Sequence, residues 1–135
     1  MTLTFSKKTN IAFLFPGQGA QTVGMGLDLF KNSNAAKDVF EEVDDALSKP
    51  LSKIIFDGPE DILKETVNAQ PAIMAVSLAC FAALKENSDF SEIVPNFIAG
   101  HSLGEYTALA VSNVLSIKDT ARLVQKRGEL MQAAC

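Results

Sequence analysis

The chain of 135 residues predicts an α/β protein built on a parallel sheet, and three observations carry that reading. Ile11–Phe15 and Phe97–Ala99 are short runs that are apolar at every position, as expected of strands covered on both faces. Each run leads directly into a turn, Pro16-Gly17 after the first and Gly100-His101-Ser102 after the second. The segments between and beyond them place apolar residues at helical spacing, so strands and helices alternate.

In chain order, Ile11-Ala-Phe-Leu-Phe15 is the first strand. The four glycines of Gly17–Gly26 predict a loop leading into a short helix. Val39, Phe40, Val43 and Leu47 form a helical stripe, with Lys37, Asp38, Glu41, Glu42, Asp44 and Asp45 as its solvated face. Pro59 suits the first position of a helix that runs through Ile62, Leu63 and Val67. Pro71 is expected to open another, Ala-rich helix to about Leu84. That helix is apolar nearly all round, so it should lie inside the fold, and it is shorter than the roughly 20 residues that cross a bilayer. Phe97–Ala99 is the second strand, followed by a helix through Tyr106–Val111. Ser116 with Asp119 three residues on matches a capping box, which opens the last helix. That helix meets no stop signal, and two strands are few for a covered sheet. Residues 1–135 are therefore expected to be the N-terminal part of a longer chain.

Composition narrows the function classes. A chain that is 47% hydrophobic and 21% charged is an ordinary globular domain with a single core. Twelve Lys and Arg against sixteen Asp and Glu leave a net charge of -4, which supplies no general field for nucleic acid or anionic lipid. Neither partner is expected. The polar start MTLTFSKKTN shows no secretory pattern, so no secretory signal is expected. Cys80 and Cys135 stand far apart with no His nearby, so two reduced cysteines in a cytoplasmic protein are expected, without a metal site.

The chemistry concentrates at Gly100-His101-Ser102-Leu103-Gly104, a G-x-S-x-G sequence with a strand before it and a helix after it. A sharp turn there strains Ser102 and exposes its hydroxyl, and Gly100 and Gly104 avoid clashes at the crossing. The N–H of Leu103 opens the helix and points toward an oxygen bound beside Ser102, where the helix dipole favours negative charge. With these flanks, a nucleophile is favoured over a structural turn serine. A second oxyanion donor is sought in Phe15-Pro-Gly17-Gln18-Gly19-Ala-Gln21, which in a parallel sheet leaves on the same edge as Ser102. Gly17 and Gly19 let the backbone approach a substrate. A dinucleotide loop lacks its third glycine here, and a phosphate loop lacks its lysine.

Arg127 lies in the row Thr120, Leu123, Arg127, Leu130 and Ala134 of the last helix, on a largely apolar flank with no acid at helical spacing. Periodicity favours a side chain that snorkels or pairs with a distant acid. The other reading is that its partner arrives with the substrate as a carboxylate. His101, the single His, adjoins Ser102 and points elsewhere, so it is read as shaping the elbow and not as the general base.

Three motifs together, Phe13-Leu-Phe-Pro-Gly-Gln-Gly-Ala-Gln21, Gly100-His-Ser-Leu-Gly-Glu-Tyr106 and Gln125-Lys-Arg-Gly128 with Met131-Gln132, resemble the malonyl-CoA:acyl carrier protein transacylases. The acyltransferase domains of polyketide and animal fatty acid synthases share them. The resemblance spans the chain in order. It implies an α/β-hydrolase-like large subdomain, here truncated, with a ferredoxin-like small subdomain in the part beyond. It also implies malonyl transfer from malonyl-CoA through Ser102 to the phosphopantetheine thiol of acyl carrier protein, with no cofactor of the enzyme's own. By position, Gln18 and Leu103 supply the oxyanion-hole N–H groups and Arg127 binds the malonyl carboxylate. The family's catalytic His and the Gln that orients it lie further along, so these residues alone are expected to be inactive. The competing readings are a lipase-like serine hydrolase and a non-catalytic folded fragment.

Overall fold

A computed structural model describes residues 10–135, so the first nine positions of the polar start lie outside the described residues. The elements are β1 (Ala12–Phe15), α1 (Leu27–Asn32), α2 (Asn34–Leu47), α3 (Leu51–Asp57), α4 (Glu60–Lys64), α5 (Thr66–Glu86), β2 (Phe97–Gly100), α6 (Gly104–Val111) and α7 (Ile117–Ala133). β1 and β2 pair in parallel, in register from Ala12 opposite Phe97 to Phe15 opposite Gly100. The N–H of His101 extends the ladder by donating to the Phe15 carbonyl at 3.0 Å. Parallel pairing carries both strand ends, and the loops that follow, to one edge.

α5 is the axis of the fold and packs mainly against α7 and α2. It is long and apolar enough to cross a bilayer, but most of that stretch is buried in the core, which includes Met74, Ala75 and Leu78. α2 contributes Val39, Phe40 and Val43, as its stripe predicts, and α7 contributes Ala121 and Val124. Phe40 also meets Phe30 and Phe56 at ring separations of 5.9 and 5.0 Å, which ties α1 and α3 to α2. At the start of α7, the Ser116 hydroxyl accepts from the N–H of Asp119 at 3.0 Å and donates to its carboxylate at 2.8 Å, the expected cap.

Several elements depart from the expectations, each because of a bond from another element. α3 was not predicted, and it is anchored from α2. Asp44, assigned to a solvated face, accepts from the N–H and hydroxyl of Ser52 at 2.9 and 2.5 Å and so caps it. The helix after Pro59 ends at Lys64, and Val67 belongs to α5. Pro71 does not open α5. The helix begins five residues earlier, at Thr66, where Asn68 and Ala69 donate to the Glu65 carbonyl and Val67 donates to Oε1 of Gln132 on α7. Those bonds hold an extra turn ahead of the proline, which forgoes only one bond of the ladder.

Among the described residues the strands are covered on one face. Phe13, Phe15 and Ile98 turn toward the helices, whereas Leu14 is 75% and Phe97 71% exposed on the other side. The helices of these residues pack on one face of the sheet.

Candidate active site

Ser102 sits between the end of β2 and the start of α6 with a φ of 55°, the left-handed region that non-glycine residues avoid. This is the strained turn the motif calls for, observed as an outlier. Three bonds hold it: Gly104 N–H to His101 at 2.9 Å, Glu105 N–H to Ser102 at 3.1 Å and Tyr106 N–H to Leu103 at 3.0 Å. They convert strand into helix within three residues, His101 to Leu103.

The flanking glycines are required by space. A Cβ on Gly100 would fall 2.0 Å from the Gly104 carbonyl, and one on Gly104 would fall 2.3 Å from the Phe15 oxygen. The elbow is therefore pressed against itself and against the end of β1, leaving no room for a methyl group. Gly17 is tight in the same way, since its Cβ would lie 2.6 Å from Nδ1 of His101. His101 thus packs on the glutamine loop, and no side-chain hydrogen bond joins it to Ser102 among the described residues, in keeping with a shaping role.

In that loop, Gly19 takes a φ of 111° and its N–H donates to the Gln21 side chain at 2.8 Å. The side chain of Gln18 reaches across to Thr66 at the start of α5, donating to Oγ1 at 3.1 Å. The backbone N–H groups of Gln18 and Leu103 find no acceptor among the described residues. The open donor of Leu103 adjoins the strained serine, and that of Gln18 follows the glycine packed on His101; unpaired N–H groups of this kind suit an incoming oxygen.

Arg127 reaches into the site from α7, and Gly128 explains how. A Cβ there would come within 3.0 Å of the Thr66 carbonyl, so its absence lets α7 close on the start of α5. The guanidinium donates from Nη2 to Oγ of Ser102 at 2.9 Å and from Nη1 to Oε1 of Gln70 at 2.5 Å. Its Cζ lies 5.9 Å from the Tyr106 ring centre, a cation–π contact. It pairs with no carboxylate among the described residues, where the ion pairs are Lys37–Glu41, Lys64–Glu60, Arg122–Asp119 and Lys126–Glu129. The expectation of a distant acid is corrected. Neutral acceptors hold the charge, and one of them is the serine.

Gln70, Thr66 and Tyr106 thus belong to the site although sequence reasoning did not place them there. Gln70 gives no sign in the sequence, because it precedes Pro71, where the apolar helix is expected to start; its full burial emerges only with the start of α5 at Thr66. Away from this edge, Cys80 lines a groove of about 380 Å³ between β1 and α5, with Phe13 and Phe81. Partial burial pushes its thiol pKa up from the ordinary value, and the negative charge of Asp28 adds to the effect.

A parallel strand pair, a glycine-flanked serine elbow and a glutamine loop at one edge of the sheet place this chain, by fold and motif, in the class of the acyl transferases. Residues 12–135 match the acyl transferase domain family, and the chain belongs to it. It is 49% identical over 126 residues to the malonyl CoA-acyl carrier protein transacylase of Bacillus subtilis, a match covering 93% of this chain and 38% of that protein. The crystal structure of the acyl-carrier-protein-S-malonyltransferase from Bartonella henselae superimposes with a TM-score of 0.88 at 51% identity, covering 94% of this chain and 40% of the other. A malonyl-transacylase solved in complex with its type II PKS acyl-carrier protein aligns at 0.87 and 39% identity, over 94% of this chain and 40% of that one. The chain spans about two fifths of the length of the relatives it matches.

Proposed function

We propose that this chain carries the nucleophile and acyl-binding half of a malonyl-CoA:acyl carrier protein transacylase serving fatty acid synthesis in the cytoplasm. The carrying observation is the 2.9 Å bond from Arg127 to Ser102, made by a guanidinium with no acid of its own among the described residues. An arginine in that state, on the nucleophile, supports an acyl group that brings a free carboxylate.

In this reading Ser102 Oγ attacks the thioester carbonyl of malonyl-CoA. The carbonyl oxygen takes the negative charge and is received by the N–H groups of Gln18 and Leu103, one such donor being worth about 2.7–4 kcal/mol in the transition state. Collapse breaks the C–S bond, and coenzyme A leaves as the thiol with the proton lost by Ser102. The pantetheine thiol of the carrier protein then attacks the seryl ester, the serine oxygen leaves and regains a proton, and malonyl is carried away as a new thioester. The His that moves these protons is assigned to sequence beyond these residues, in line with the resemblance. The reaction needs no cofactor besides the pantetheine arms of its two substrates. The solved complex of a similar malonyl-transacylase with an acyl-carrier protein supports that partner.

The test is covalent loading from radiolabelled malonyl-CoA by the full-length enzyme, followed by a chase with holo carrier protein or with buffer. Label should appear on Ser102, pass to the carrier protein and be lost in Ser102→Ala. Release to water at the same rate would point to a hydrolase, and loading retained in Ser102→Ala would end the assignment.

A further inference from the structure

Gln70 is fully buried on α5. Burying an amide without partners is costly, so the chemistry at both its ends is informative. A guanidinium can only donate, and Oε1 of Gln70 accepts from Nη1 of Arg127. The amide nitrogen can only donate, and it is turned to the sulfur of Met131 at 3.3 Å, a weak acceptor. Exchanging the amide's two ends would set N–H against N–H at Arg127, so one orientation alone satisfies the site.

We propose that Gln70 is a positioning residue that sets the acyl-group selectivity of this site by fixing Arg127 through a neutral acceptor. The inference rests on the reading of Arg127 as the carboxylate clamp. A neutral amide locates one arm of the guanidinium and leaves its charge uncompensated. A carboxylate at the same place would locate the arm equally well but would neutralise it before substrate arrived. The same turn of α5 orders the opposite wall of the site, because Thr66 holds the Gln18 side chain at 3.1 Å. Residues 66–70 therefore set the acyl clamp against the glutamine loop from one rigid segment. Tight packing of α7 over it, at Gly128, keeps the two in step.

The experiment uses the full-length enzyme with Gln70→Met, which keeps the volume and removes the acceptor, and Gln70→Glu, which keeps the acceptor and adds charge. Loading of Ser102 from malonyl-CoA and from acetyl-CoA is measured for each, and thermal melting checks the fold. Loss of one charged hydrogen bond predicts that Gln70→Met lowers the malonyl-to-acetyl ratio of kcat/KM by about tenfold, chiefly through KM for malonyl-CoA. Gln70→Glu should lower the ratio at least as much, because Arg127 is then already paired. In an Arg127→Ala background, Gln70→Met should change the ratio no further. Malonyl and acetyl loading falling together, or both Gln70 variants keeping the wild-type ratio while Arg127→Ala collapses it, overturns the positioning role and leaves the clamp intact. An unchanged ratio in Arg127→Ala removes the clamp itself, and the role of Gln70 with it.

Discussion

Replacing Ser102 by Gly and, separately, by Ala isolates the backbone strain at the elbow from the chemistry of the hydroxyl. Both variants remove Oγ and the bond it accepts from Arg127, so that loss cancels between them. What differs is the backbone at a φ of 55°. Alanine there bears the left-handed penalty of about 1–2 kcal/mol, and glycine bears essentially none. Against this, glycine adds conformational freedom to the unfolded chain, which lowers stability by about 0.5–1 kcal/mol. The difference leaves Ser102→Gly more stable than Ser102→Ala by about 0.5 kcal/mol. At Ala108, an ordinary position inside α6, the sign must reverse, and Ala108→Gly should cost about 1 kcal/mol. Urea denaturation followed by far-ultraviolet circular dichroism reads all three. With a slope of about 2 kcal/mol/M, the Gly and Ala variants separate by about 0.25 M in midpoint. An alanine variant as stable as the glycine one would mean that residue 102 does not occupy the left-handed region, and the strained elbow would be refuted.

Two further outcomes follow from the packing and the titration behaviour. Gly104→Ala places a methyl 2.3 Å from the Phe15 oxygen, so strand end and helix must separate by about 1 Å. A loss of about 2 kcal/mol or more, with Ser102 labelling by a fluorophosphonate falling as the serine moves, is expected; wild-type stability and labelling would contradict the close crossing. For Cys80 the folded pKa is raised above 9.0. Below that pH the thiol is neutral in both states; as pH rises past it the unfolded thiol ionises first, so stability falls. The urea midpoint of wild type should therefore drop more between about pH 8 and pH 10 than that of Cys80→Ala, and equal drops would show no shift.

Much of the fold was legible because its signals are local. Val39, Phe40 and Val43 at helical spacing, the Ser116–Asp119 cap and the two apolar runs each report their own element, and each is found where expected. The misjudged elements depend on partners distant in sequence. α3 relies on Asp44 from the preceding helix, a carboxylate that composition alone assigns to solvent. The start of α5 relies on Gln132, 65 residues away, and without that bond Pro71 is the natural first turn. The exposed Leu14 and Phe97 show a similar limit, since an apolar run reports the capacity to be covered on both faces. Whether a face is covered is decided by other elements.

The site divides along the same line. Ser102 and its glycines were readable because strain and close approach leave few residue choices at those positions. Arg127 was conspicuous, but its partners were not, because they come from α5 and from the elbow, 57 and 25 residues away. Periodicity treats a charge on an apolar flank as needing water or an opposite charge, and so it favours a side chain that snorkels or pairs with a distant acid. The structure meets the need with an amide oxygen and a serine hydroxyl. That choice has a chemical consequence: an acid would have satisfied the guanidinium permanently, whereas two neutral acceptors satisfy its geometry and leave its charge available. A site held ready in this way gains most from a ligand that is itself anionic, which ties the selectivity proposed for this chain to the identity of residue 70 as much as to that of residue 127.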